Sequence, residues 1–216
     1  MKYKAVIFDL DGVICHTDEY HYQAWKKVAE KLAVPFDRKI NDRLRGVSRT
    51  ESFEIILEHY KGVLQQENKE YYINKKNEIY KDLLKNMGPE DLAEEVKDTL
   101  NTLKRYGLKL AVGSSSKNAG FILQRLGLGG YFDAVSDGNN IQRSKPDPEV
   151  FLKACGMVEI SPEDCLVVED ADAGVEAARA CGMDCAGIGG AARVSGVTYK
   201  LEYIDDLLAI PAFAMV

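Results

Sequence analysis

No run of apolar residues in this 216-residue chain reaches the roughly 20 that a bilayer span requires. The start, MKYKAVIFDLDG, also lacks the hydrophobic region and cleavage site of a signal peptide. The expectation is a cytoplasmic protein with no membrane partner. Positive charge is short as well: 28 lysines and arginines face 34 acids, a formal charge of −6. That excludes a broad basic field for a nucleic-acid backbone, yet it leaves room for local cationic pockets that take small anions. The five cysteines, Cys15, Cys155, Cys165, Cys181 and Cys185, are odd in number and lack paired zinc spacing. Reduced, packed thiols follow, not a disulfide framework. Repeats, low-complexity tracts and long linkers are missing too.

What is present has a clear order. KYKAVIF is a β-branched and aromatic run that ends at Asp9, which reads as a buried strand. Helical patterns then take over. EYHYQAWKKVAEKL sets Tyr20, Ala24, Val28 and Leu32 on nearly one face. SRTESFEIILEHY opens with a capping box of Ser48 and Glu51, and NKEYYINKKNEIYKDLLKNM continues the period until Gly88 and Pro89. From there LKLAVGS, FDAVS, DCLVVED and DCAGIG alternate with helical stretches, the signature of a parallel sheet covered on both faces. The fold class is therefore α/β: a Rossmann-like parallel-sheet core from residues 1–15 and 89–216, with an inserted all-helical domain over 16–88, which the resemblance drawn below makes a cap domain. The tail LLAIPAFAMV, broken by Pro211, is expected to pack on the core.

The unusual polar residues fall where such sheets bind ligands, beyond the carboxyl ends of the strands. Asp9 and Asp11 follow the first strand, Ser114 to Ser116 the second, and Glu169 with Asp170 end the strand CLVV. The loop after FDAVS carries Ser144, Lys145 and Pro146. Each piece alone has a bland reading, since acids and serines after strands often cap the next helix. Together they make a charge problem. Two carboxylates 4 Å apart repel by about 4 kcal/mol at an effective dielectric near 20, so a gathering of them calls for a cation. Hard oxygen donors suit Mg²⁺, Lys145 supplies a second positive charge, and the loops offer no histidine and cysteine set for zinc. Arg49, beside the helix cap Ser48, sits at a helix N-terminus that favours an anion, which its guanidinium can grip.

With these residues assembled, the chain resembles the haloacid dehalogenase superfamily of phosphotransferases over most of its length. The motifs are DLDG at Asp9 to Gly12, GSSSKN at Gly113 to Asn118, SKPDP at Ser144 to Pro148 and VVEDADAG at Val167 to Gly174. EYHYQAW, LRGVSR and KKN make it look most like the β-phosphoglucomutase branch. The resemblance implies Asp9 as the nucleophile that becomes an aspartyl phosphate and Asp11 as general acid and base. Ser114 and Lys145 would hold the transferring phosphoryl group, and Asp9, the main-chain carbonyl of Asp11, Glu169 and Asp170 would hold Mg²⁺. Arg49, Ser116, Lys117 and Asn118 would bind the non-transferring phosphate. Thr17, His21, Arg45, Gly46, Lys76, Asn77 and Ser115 would complete the substrate contacts and cap closure. The implied activity interconverts β-glucose 1-phosphate and glucose 6-phosphate through a bisphosphate, in a monomer. A sugar-phosphate phosphatase, with water as acceptor, is the alternative, and a non-catalytic binding protein of the same fold is a third reading. Three residues depart from the branch: Arg45 stands where lysine is common, His16 where an acid is frequent, and Ala171 where serine is usual.

Overall fold

The apolar run before Asp9 becomes the centre of a sheet. In the computed structural model, which describes residues 2–44 and 47–213, strand β1 (Ala5–Phe8) has all four residues buried. The chain then forms α1 (Asp18–Lys31), α2 (Arg38–Asp42), α3 (Arg49–Leu57) and α4 (Gln66–Leu84). It returns through α5 (Glu94–Arg105), β2 (Lys109–Gly113), α6 (Ala119–Arg125) and β3 (Ala134–Ser136). The last elements are α7 (Glu149–Met157), β4 (Cys165–Glu169), α8 (Asp172–Ala180), β5 (Asp184–Ile188) and β6 (Tyr199–Leu201).

The six strands lie in the order β3-β2-β1-β4-β5-β6, every pair parallel. Successive strands step away from β1 in one direction through β3, then restart at β4 on its other side. That reversal between β1 and β4 is where loops diverge and leave a crevice. One face of the sheet is covered by α7 and α8, whose Val150, Phe151, Ala154, Val175 and Ala178 pack with Ile7, Ala111 and Val167. Burial on both faces explains why the central strands read as continuous apolar runs and not as alternating ones.

Contacts divide the chain into two units, Met1–His16 with Gly88–Val216, and Thr17–Met87. The second unit has its own apolar centre of Trp25, Val28, Ala29, Phe53 and Ile56, with the Trp25 and Phe53 rings stacked 5.9 Å apart. Ser48 caps α3, its Oγ accepting from the Glu51 amide at 3.2 Å.

Two elements were not anticipated from the sequence. Helix α2 is a single short turn after Pro35, below the length at which periodicity shows, although Asp37 caps it by accepting from the Ile40 amide at 2.9 Å. Strand β6 has three residues, one of them exposed, and exists because β5 offers its edge. The tail packs as expected: Leu207, Ile210 and Phe213 are buried, Phe213 against Tyr3. Its last three residues, 214–216, lie outside the described part. All five thiols are free. Among the described residues no helix is long and apolar enough to cross a membrane.

Candidate active site

Parallel pairing decides which side chains meet. The β1–β4 register matches Ile7 with Val167 and Phe8 with Val168, and the Asp9 amide donates to the Val168 carbonyl at 2.9 Å. One step further along the strands, Asp9 and Glu169 are neighbours. On the other side of β1, Phe8 is matched with Val112, so Ser114 follows two residues on.

Lys145 arrives from the loop after β3. Its Nζ donates to Asp9 Oδ1 and to Glu169 Oε1, both at 2.5 Å, in a place where the lysine side chain is only 7% exposed. The ammonium also stands 4.7 Å from the centre of the Phe151 ring. Glu169 Oε2 accepts from the Asp170 and Ala171 amides at 2.8 and 3.0 Å, so both its oxygens are engaged. Asp9, Glu169 and Asp170 each bring a carboxylate oxygen into one group within 4.8 Å. Gly12 makes this approach possible: its φ is +88°, and a Cβ there would overlap the Asp170 carboxylate.

Burial and charge oppose each other at Asp9 and Lys145. Burial pushes the Asp9 carboxyl well above its usual range, with Lys145 opposing and Glu169 and Asp170 adding to the push. Burial alone would lower the Lys145 pKa, but the charges and hydrogen bonds of Asp9 and Glu169 outweigh it and hold the ammonium above the ordinary lysine value. Lys145 thus bonds two of the three grouped carboxylates, Asp9 and Glu169. Three buried or half-buried carboxylates that bring hard oxygen donors around a common point fit a divalent cation of the Mg²⁺ kind.

The Ser114–Asn118 loop lies beside it. Ser114 is buried and its Oγ accepts from the Ser116 amide at 3.2 Å. Ser115 Oγ accepts from the Lys145 amide at 3.3 Å, tying this loop to the lysine loop. Lys117 is exposed and Asn118 is buried. Asp11 is half-buried, in a bridge with Cys15.

Further predicted residues belong to the second unit. Thr17 is buried, and its Oγ1 accepts from the Tyr80 hydroxyl at 2.9 Å. Lys76, only 2% exposed, donates to His21 Nδ1 at 2.7 Å and stands near the Trp25 and Tyr80 rings at 5.1 and 4.6 Å. Nδ1 as acceptor carries no proton, which leaves the imidazole neutral with its proton on Nε2. Arg49 opens α3 half-buried; burial lowers its pKa, yet a guanidinium stays charged. Asn77 is half-buried on α4. Arg45 and Gly46 lie outside the described residues. The sequence reading did not single out the Tyr80 hydroxyl as a partner of Thr17, nor the turn after β3; Asp137-Gly138-Asn139 is the turn signal that marks the latter.

His21 carries a pH prediction. Desolvation, then the Lys76 and Arg49 charges, hold its pKa well below the usual histidine range. Between the folded value and about 6.5 the unfolded chain binds the proton and the folded chain does not, so stability rises with pH across that window. Thermal unfolding of wild type and His21→Gln from pH 5 to pH 8 should show wild type losing up to about 1.4 kcal/mol per pH unit relative to the variant below about 6.5. Parallel curves would mean that His21 titrates normally.

A parallel sheet with a strand-order reversal, and a lysine-bridged carboxylate cluster on the loops at that reversal, defines an α/β enzyme core. Residues 3–182 match the family model of haloacid dehalogenase-like hydrolases. The chain belongs to that family, in its β-phosphoglucomutase-like branch. It is 42% identical over 206 residues to the β-phosphoglucomutase of Bacillus subtilis, covering 94% of this chain and 91% of that one. It is 34% identical to the phosphorylated carbohydrates phosphatase of Thermotoga maritima, covering 99% and 94%. The crystal structure of β-phosphoglucomutase from Clostridium difficile superposes with a TM-score of 0.87 at 34% identity, over 95% of this chain and 93% of that one.

Proposed function

We propose that this enzyme is a phosphomutase that interconverts β-glucose 1-phosphate and glucose 6-phosphate through a β-glucose 1,6-bisphosphate intermediate. The observation that carries the chemistry is Lys145 bridging Asp9 and Glu169 at the strand ends, beside Asp170. The sugar follows from the likeness to the Bacillus subtilis mutase.

In this reading an Asp9 carboxylate oxygen attacks phosphorus, the bond from phosphorus to the sugar oxygen breaks, and Asp11 delivers a proton to that oxygen. In the return half Asp11 takes the proton from the second sugar hydroxyl as that oxygen attacks the aspartyl phosphate, and the Asp9 carboxylate is released. Lys145 and Ser114 hold the transferring oxygens, with Ser115 behind the lysine loop. Asp9, the main-chain carbonyl of Asp11, Glu169 and Asp170 would hold Mg²⁺, which when bound neutralises charge on the phosphoryl oxygens.

A bisphosphate intermediate needs cations for its other phosphate. Arg49, with Ser116, Lys117 and Asn118, takes that part, and Thr17, His21, Arg45, Gly46, Lys76 and Asn77 contact or orient the sugar phosphate. The unit Thr17–Met87 acts as the cap that keeps water from the aspartyl phosphate. The substrate partner is a small sugar phosphate, and the enzyme acts as a cytoplasmic monomer. The second reading, a sugar-phosphate phosphatase, has the Thermotoga maritima relative in its favour.

Phosphorus NMR separates the two. With Mg²⁺, β-glucose 1-phosphate and a trace of the bisphosphate, glucose 6-phosphate should accumulate with little inorganic phosphate; inorganic phosphate as the main product would reject the mutase. Arg49→Ala should weaken sugar-phosphate binding by about 10²-fold, the loss of a bidentate charged contact, while slowing Asp9 phosphorylation by a small acyl phosphate far less. Equal losses would remove Arg49 from the distal role.

A further inference from the structure

The Ser114–Asn118 loop is held from outside. Its short internal bonds run from the Ser116 amide to Ser114 Oγ and from the Asn118 amide to Ser116 Oγ, each at 3.2 Å. Three more come from a single neighbouring segment, Ser136 to Asn139, where the chain leaves β3. The Ser114 amide donates to the Ser136 carbonyl at 3.0 Å, the Gly138 amide to the Ser116 carbonyl at 3.2 Å, and Asn139 Nδ2 to the Lys117 carbonyl at 2.9 Å.

Asn139 is itself braced. Its main-chain amide donates to Asp137 Oδ1 at 2.8 Å, and the second hydrogen of Nδ2 goes to Asp137 Oδ2 at 3.1 Å. Asp137 is 9% exposed, and its amide donates to Asn140 Oδ1 at 3.1 Å. Both Nδ2 hydrogens are thus engaged by protein acceptors, one in each of the two segments. Gly138 lets the two loops meet: a Cβ there would lie 2.5 Å from the Ser115 carbonyl oxygen and 2.9 Å from the Lys117 nitrogen.

The physical consequence lies in the peptide planes. Each trans peptide is rigid, so fixing the Ser116 and Lys117 carbonyls also fixes the direction of the Lys117 and Asn118 N–H groups. An asparagine in an ordinary turn bonds within its own turn; this one also reaches back 22 residues to Lys117.

We infer that Asn139, braced by Asp137, is a positioning residue that sets the phosphate-binding conformation of Ser116–Asn118 through the Lys117 carbonyl. The inference rests on the reading of that segment as the site of the non-transferring phosphate. It predicts that Asn139 governs affinity for a ligand with a second phosphate and leaves the reaction at Asp9 nearly untouched.

Asn139→Asp keeps the shape and removes the donor; Asn139→Ala removes the side chain without adding a charge. For both, KM for β-glucose 1-phosphate should rise about tenfold, the factor for one lost hydrogen bond, with a smaller change in kcat. Asp9 phosphorylation by a small acyl phosphate should stay within about twofold of wild type. In amide NMR, glucose 6-phosphate should shift the Lys117 and Asn118 signals of wild type, and the variants should need about tenfold more of it. If both KM and the acyl-phosphate rate are unchanged, or if both deteriorate equally, the positioning role is overturned. If the wild-type amides ignore glucose 6-phosphate, the phosphate reading of the segment fails first and the inference falls with it. A responsive wild type with equally responsive variants overturns the inference alone.

Discussion

Asp9→Asn is expected to lower turnover by about 10⁴-fold or more while leaving the fold intact. The amide keeps the volume of the carboxylate, and its oxygen can still accept from Lys145, which donates to Asp9 Oδ1 in the native site. What it loses is the charged oxygen that, in the mechanism we propose, attacks phosphorus. Because burial disfavours the Asp9 charge, the neutral variant should melt no lower than wild type. An intact-mass measurement after exposure to a small acyl phosphate and Mg²⁺ should show a phosphoryl adduct on wild type and none on the variant. A variant that still turns over would move the nucleophile elsewhere.

Lys145→Met should damage both function and fold. The lysine is the only ammonium that the described residues place on Asp9 and Glu169, and both carboxylates are at most 11% exposed. Methionine fills much of the same space beside Phe151 but leaves the acids uncompensated. Removing one partner of a buried ion pair costs about 3–5 kcal/mol. Losing the donor that the proposed mechanism assigns to the transferring oxygens should lower kcat by about 10²-fold to 10³-fold. The two effects separate on adding metal. Mg²⁺ binding to the carboxylates should raise the melting temperature of the variant more than that of wild type, without restoring kcat. If Mg²⁺ stabilises both proteins equally, the acid cluster is not where the cation binds.

These two predictions concern residues 136 positions apart in the chain. The sequence reading placed Asp9 and Lys145 at one site because each follows an apolar run, and runs of a parallel sheet end on the same side. The direct bridge from Lys145 to both Asp9 and Glu169 was beyond that logic, since strand ends say nothing of side-chain reach. Gly12 shows the same limit. Its φ is +88°, and the group its missing Cβ would meet is the Asp170 carboxylate, which no local pattern announces. Lys76 shows it again, because a helical period cannot tell a solvated lysine from one packed among Trp25, Tyr80 and His21. Helix α2 and strand β6 were missed for want of length: three to five residues hold too little periodicity.

By itself, the sequence determined the class of fold, the helical insertion after the first strand, the strand-end acids and the thiol-rich, bridge-free chemistry of the core. All of these are written in local composition and period, which need no knowledge of distant neighbours. Tertiary structure alone decided that β1 and β4 lie side by side, so that Asp9 meets Glu169 and Asp170 and their shared charge draws in Lys145. It alone brought the turn after β3 against Lys117, where Asn139 closes a hydrogen bond that no spacing in the chain announces. The reason is physical: strand pairing and hydrogen-bond closure are satisfied between segments far apart in sequence, and a local pattern carries no record of which segments will meet.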